Sequence, residues 1–313
     1  MTIPTPIILD CDPGHDDAMA ILMAAASPEI ELLGITTVSG NGSLEKVTYN
    51  AQRICALANI VVPIAKGAQN PITGKASAAP SIHGVSALDG AQLPEPTFEI
   101  SSLSAVELIA KLVSECDRKV TLIPTGPMTN IAMFLQKHPE LHNRIEHISF
   151  MGGSTERGNW TPYAEFNIWA DPEAADIVLR SGLPLIMSGL NITHQALATT
   201  EVLARITALD THLARVIVDL MRFFAETYRD VFGMPHPPVH DPVAIAIIID
   251  MSIAKLVSAP VAIELTGDLT RGATVVDLYG TTGQQANVEV AMELDVEKFW
   301  NIMISAIKTL GTS

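Results

Sequence analysis

A chain of 313 residues, 48% hydrophobic and only 17% charged, can bury a large core and is long enough for one large α/β domain or two smaller ones. Its formal net charge of −15 excludes general binding to DNA, RNA or an anionic membrane surface, where lysine and arginine must dominate. Cys11, Cys55 and Cys116 form no CxxC pair, Met1 to Leu9 lacks the charge of a signal peptide, and no apolar run nears the roughly 20 residues of a membrane helix, which together predict a reduced, cytoplasmic protein.

Short apolar runs alternate with helical patterns along the chain. Pro6 to Leu9 reads as a buried strand, followed by a helix through Ala18 to Ala26. Ile30 to Val38 is a second strand and Leu44 to Ala58 a helix. Residues 67–96 are rich in Gly, Pro, Ser and Ala, and read as a long excursion with little to bury. Val120 to Pro124, Ile145 to Met151 and Leu183 to Ser188 are further strands, with helices near Thr129 to Gln136 and Pro172 to Leu179. Glu201 to Thr227 is mostly helical. Strands at Val261 to Leu265, Ala273 to Leu278 and Asn287 to Met292 precede a closing helix, Val296 to Leu310. Strands apolar on both faces and separated by helices predict a doubly wound, mostly parallel sheet with helices on both faces and extra C-terminal strands. No linker composition divides the chain, so 1–313 reads as one domain.

In such sheets ligands bind beyond the carboxyl ends of the strands, so the residues after each apolar run are the informative ones. The first run continues into Asp10-Cys11-Asp12-Pro13-Gly14-His15-Asp16-Asp17. Four carboxylates so close repel one another unless a cation sits among them, and hard oxygen donors suit calcium or magnesium. The alternative is a solvated acidic turn with helix capping, which fits one aspartate better than four after a buried strand. The second run ends in Ser39-Gly40-Asn41-Gly42, and the run from Val120 ends in Pro124-Thr125-Gly126-Pro127, whose backbone carbonyls cannot all join a ladder, so that one could coordinate a metal. After Met151-Gly152-Gly153, the side chains of Asn159, Glu165 and Asn167 offer donors and acceptors suited to sugar hydroxyls. His240-Asp241 precedes the apolar stretch Val243 to Ile249, where a plain helix cap is the simplest local reading. His83 stands alone in the excursion and by itself earns no role.

Taken together, these segments resemble the inosine-uridine-preferring nucleoside hydrolase family. The opening Asp-x-Asp-Pro-Gly-x-Asp-Asp, here Asp10 to Asp17, is its most specific motif. Thr37 to Asn41, His83-Gly84, Pro124 to Asn130, Met151 to Gly153, Ala164 to Asn167, Asp171 to Ala175 and His240 to Pro242 follow in the family's order. Around Gly158 to Pro162 the chain is most similar to bacterial pyrimidine-type ribonucleoside hydrolases. The resemblance implies a Rossmann-like fold and hydrolysis of the ribose–base bond. It implies calcium bound by Asp12, Asp17, the Thr125 carbonyl and Asp241, and ribose held by Asp16, Asn41, Asn159, Glu165 and Asn167. Met151 joins the substrate site, and His83, Tyr228 and His240 fall on the base side. It also implies a homo-oligomer, dimer or tetramer, working in nucleoside salvage. Two positions depart from the family's pattern. Phe224 stands where some members carry a tyrosine, and Ala87 of Ser86-Ala87-Leu88 replaces a more usual glycine, which alters the expected flexibility of that loop.

The chemistry expected of such a site is attack by a calcium-held water on the anomeric carbon, with Asp12 as general base. Positive charge developing on the ribosyl ring, as in glycosidases, would be stabilised by the surrounding oxygens. His240 is the first candidate to protonate the leaving base, and His83 the second. Two rivals remain at this point. A non-catalytic ribose- or nucleoside-binding protein would need much the same residues. A haloacid-dehalogenase-type phosphatase shares Asp10-x-Asp12, but expects threonine or valine where this chain has Gly14.

Overall fold

The computed structural model describes residues 3–76 and 78–312. Ten strands are present among them: β1 Thr5–Cys11, β2 Ile30–Thr37, β3 Ile64–Lys66, β4 Val120–Pro124, β5 Ile145–Met151, β6 Leu185–Ser188, β7 Ala254–Ala259, β8 Val261–Ile263, β9 Thr274–Val276 and β10 Val288–Leu294. Eight form one sheet in the order β3-β2-β1-β4-β5-β6-β10-β7. All neighbours are parallel except the last pair, β10 and β7. The run β3-β2-β1-β4-β5-β6 reverses direction of build between β1 and β4, which opens a crevice at their carboxyl ends. The motifs that follow β1 and β4 therefore face the same place.

Strands buried on both sides need apolar residues throughout, and β1 shows this in Ile7, Ile8 and Leu9, all fully buried. Ile7 and Leu9 pack into one hydrophobic layer with the His15–Ala26 helix, while Ile8 joins the layer on the other face with Val120, Leu122 and Ile148. The predicted doubly wound sheet is thus present.

The C-terminal part differs in detail from the sequence expectation. Only one of the three expected strands, β10, enters the main sheet, and it pairs with β7, a strand that the half-exposed run Ala254–Ala259 did not announce. The other two, β8 and β9, form a separate antiparallel ribbon. The excursion also differs. Short β3 lies just before it, the helices Pro80–His83 and Ala105–Glu115 lie in and beyond it, and Ala79, Ile82, Ala87, Leu88 and Leu93 are buried. The expectation that it had little to bury fails because its apolar residues are scattered and gave no period. Polar anchors from the Leu44–Leu57 helix hold it: Asn50 Nδ2 donates to the Pro13 and Ser86 carbonyls, and Arg53 to those of Leu93 and Pro94.

Candidate active site

The acidic turn after β1 is built around the start of the His15–Ala26 helix. Asp17 closes that turn by accepting from the Gly14 backbone N–H at 3.0 Å, and receives the Asn41 amide at 3.2 Å and the Thr125 hydroxyl at 2.9 Å. Asp12 accepts from the Asn41 N–H at 2.6 Å through Oδ2, while its Oδ1 is buried with no hydrogen-bond partner. Only glycine admits this carboxylate, since a Cβ on Gly40 would stand 2.0 Å from Oδ2 and one on Gly126 2.5 Å from Oδ1. Asp10 sits behind, bonded by Thr36 and Asn130.

Asp241 arrives from the start of the Pro242–Ile249 helix, and the neighbouring His240 N–H donates to Asp16 across 224 residues of chain at 3.3 Å. Asp16, Asp17 and Asp241 each bring a carboxylate oxygen within 4.8 Å of the others. Burial pushes Asp16 up to about 7 and raises Asp12, Asp17 and Asp241 as well, with neighbouring carboxylates adding to the rise at Asp12, Asp16 and Asp241. A buried group of carboxyls, with an unpartnered Asp12 oxygen nearby, is a set of hard oxygen donors that fits a divalent cation. The converging carboxylates are those of Asp16, Asp17 and Asp241; Asp12 is tied to them through Asn41, which bonds to both Asp12 and Asp17, and the Thr125 carbonyl accepts from Asn167.

Beside this cluster lies a narrow cleft with a cavity volume of about 60 Å³. Its wall contains Asp16, Asn41, Thr125, Met151, Asn159 and Glu165, together with Asn167, His83, Tyr228, His240 and Asp241. Asp12 and Asp17 are not in the wall but bond to residues that are. No lysine or arginine lines it among the described residues. Asn167 donates to the Thr125 carbonyl at 2.8 Å, and Glu165 accepts from the N–H groups of Gly153, Asn167 and Ile168. Burial pushes Glu165 up to about 7.

His240 is held between two hydroxyls, Thr193 at 2.7 Å from Nδ1 and Tyr228 at 2.8 Å from Nε2. His83 belongs to the short Pro80–His83 helix and is buried, not displayed on an open loop. Burial lowers the pKa of both histidines well below the usual range. Apolar wall residues Ala79, Ile82, Trp160, Phe166, Phe224 and Phe232 complete the cleft. Sequence reasoning missed most of these, although Phe232 follows Tyr228 by one helical turn and Trp160 sits between quoted site residues. Nothing local marked Thr193.

The family model for inosine-uridine preferring nucleoside hydrolase matches residues 7–301. The chain belongs to that family. A pyrimidine-specific ribonucleoside hydrolase RihA of Shewanella woodyi is 45% identical over 306 residues, covering 97% of this chain and 98% of that protein. The Escherichia coli protein of the same name is 43% identical over 305 residues, with the same coverages. Among solved structures, a purine-preferring ribonucleoside hydrolase from Gardnerella vaginalis superposes with a TM-score of 0.91 at 33% identity, covering 98% of this chain and 99% of that one. A plant nucleoside hydrolase, PpNRh1, gives 0.90 at 27% identity with the same coverages. The chain is therefore a ribonucleoside hydrolase, an N-glycosidase of a generally metal-dependent family, with the α/β nucleoside hydrolase fold. No helix among the described residues is long and apolar enough to cross a membrane.

Proposed function

We propose that this nucleoside hydrolase is a calcium enzyme in which Asp12 is the general base and the His240–Tyr228 pair assists the leaving base. The observation that carries the reading is the convergence of Asp16, Asp17 and Asp241 at a cleft that Tyr228 and His240 also line. Asp12, Asp17, Asp241 and the Thr125 carbonyl are the proposed ligands. Calcium, when bound, supplies Lewis acidity and an anchor for water and sugar hydroxyls.

The chain's own groups do the rest. Asp16, Asn41, Asn159, Glu165 and Asn167 bind the ribose hydroxyls and fix the anomeric carbon. Asp12, with one oxygen tied to Asn41 and the other free, takes the proton of the attacking water. Buried carboxylates face the positive charge that grows on the ribosyl ring. Trp160, Phe166, Phe224 and Met151 exclude water and pack the base. His240 passes a proton to the base, with His83 as a second contact there. The preferred substrates are pyrimidine ribosides, in keeping with the names of relatives at 43–45% identity. The proposed setting is nucleoside salvage in the cytoplasm by a homo-oligomer (dimer or tetramer) of single-domain chains.

Measuring free ribose released from uridine, cytidine, inosine and adenosine tests this reading. Release should favour the pyrimidines, stop on chelation and return with calcium. Release that survives exhaustive chelation would overturn the metal assignment.

A further inference from the structure

The β8–β9 ribbon stands outside the main sheet, and no step of the chemistry above uses it. Two of its residues nevertheless reach the site. Thr274, the first residue of β9, accepts the Ser154 N–H at 2.8 Å and donates the same hydroxyl to the Ser154 carbonyl at 2.6 Å. Its neighbour Ala273 forms an antiparallel bridge with Ala164. Consecutive ribbon residues therefore hold the two ends of the loop 154–164, which carries Asn159 and Trp160 and leads straight into Glu165.

Glu165 depends on those two ends lying close together. Its Oε2 reaches back to the N–H of Gly153, the residue before Ser154, at 2.9 Å. Its other backbone donors, Asn167 and Ile168, come from the Phe166–Ala170 helix that Glu165 itself caps. A hydroxyl both donates and accepts, so Thr274 satisfies both backbone groups of Ser154 at once. The approach is also close. A Cβ on Gly153, which has φ of 75°, would stand 2.5 Å from Thr274 Cγ2, and one on Gly272 2.9 Å from the Trp169 Cα. The Gly153 carbonyl is fixed separately by the Leu190 N–H at 2.8 Å. Held by Leu190 at its carbonyl and by Thr274 through the next residue, Gly153 presents its N–H to Glu165.

Resting on the hydrolase reading above, we propose that Thr274 positions Glu165 for the ribose by clamping Ser154, so that a ribbon outside the main sheet sets the geometry of the sugar site. Thr274 is a positioning residue: it bonds to Ser154 and does not line the cleft, whereas Glu165 does. Without the clamp, Gly153 and Ser154 are free to shift, and the Glu165 carboxylate is left to follow its own helix.

Thr274→Val keeps the β-branched shape that suits a strand and the methyl group over Gly153, and removes only the hydroxyl. Thr274 is partly exposed on a ribbon outside the main sheet, so the full, calcium-loaded variant should fold. It should lower kcat/KM roughly tenfold, between the loss of one neutral hydrogen bond and the about hundredfold cost of a 1 Å misplacement. The loss should be equal on uridine and on p-nitrophenyl riboside, which share the ribose. Thr274→Ser retains the hydroxyl and should stay near the unaltered enzyme. The deciding comparison is with Glu165→Ala, in which Thr274→Val should cost at most about twofold, because its effect runs through the missing carboxylate. An undiminished loss in that background overturns the proposal, as does an unchanged kcat/KM in Thr274→Val alone. If Glu165→Ala by itself leaves kcat/KM unchanged on both substrates, the assignment of Glu165 to the ribose falls and the proposal with it. Ribose release from uridine by the unaltered protein tests the hydrolase reading separately.

Discussion

The phenolic oxygen of Tyr228 lies 2.8 Å from Nε2 of His240, and both side chains line the cleft while Thr193, on the other ring nitrogen, does not. Tyr228 is thus the hydroxyl through which a proton can travel between His240 and a departing base. His240→Ala should slow uridine hydrolysis by roughly two to four orders of magnitude, the usual range for a general acid. Tyr228→Phe should slow it in the same direction. Neither should much affect p-nitrophenyl riboside, whose leaving group needs no proton. Equal losses on both substrates would assign the pair to holding the sugar.

Asp12 has a buried oxygen without a partner and no place in the hydrophobic core. Asp12→Ala should abolish turnover and leave the circular dichroism spectrum essentially unchanged. Titration calorimetry should show calcium binding to the unaltered protein and a large loss of it in Asp241→Ala. Full calcium affinity in that variant would remove Asp241 from the ligand set.

Burial raises Glu165 from 4.5 to about 7. The folded protein therefore holds this proton more tightly than the unfolded chain. Its contribution to stability is complete below pH 4.5 and is lost as pH rises through 7, by an amount on the order of 3 kcal/mol. In chelated protein, denaturant midpoints should fall across that window. Glu165→Gln should show a flatter profile, and a parallel profile would mean that Glu165 stays ionised throughout.

The enzyme should act on nucleosides and not on nucleotides. Asp12, Asp16, Asp17, Glu165 and Asp241 are all buried at or beside the cleft, and calcium would offset only part of their charge if they are ionised. About three remaining negative charges facing a 5′-phosphate at ~8 Å give roughly 3 kcal/mol of repulsion even with water-like screening. Arg157 is exposed on the rim of a neighbouring pocket and lies outside the cleft wall. Competition kinetics should favour uridine over its 5′-monophosphate by about a hundredfold or more. Comparable kcat/KM values would refute this.

Ala87 occupies the left-handed region with φ of 65°, where a Cβ is disfavoured. Ala87→Gly should raise stability by up to about 1 kcal/mol, the strain relief being partly offset by glycine's greater freedom when unfolded. A lower melting temperature would show that the buried methyl group packs well enough to outweigh the strain.

Much of the fold was legible because parallel strands buried on both faces must be continuous apolar runs, as Ile7-Ile8-Leu9 shows. The acidic motif was legible for a similar reason: Asp10, Asp12, Asp16 and Asp17 are too close in sequence to be tolerated without a purpose. Local sequence alone favoured a helix cap for His240-Asp241, and only the fold brings it to Asp16. His15 lay inside the motif, yet its ring contacts are with His83 and the Asp89 carbonyl, more than sixty residues away. Edge strand β7 and the buried part of the excursion escaped notice because half-exposed or scattered apolar residues carry no period.

The last strand, β10, lies between β6 and β7 in the middle of one half of the sheet. A growing polypeptide cannot finish that sheet until Leu294 has been made, and it cannot bring Asp241 to Asp17 until most of its length exists. The nascent protein therefore carries the acidic turn through most of its synthesis without the partners that complete it. A chain that stops before β10 leaves β6 as an open edge and β7 without its neighbour in the sheet.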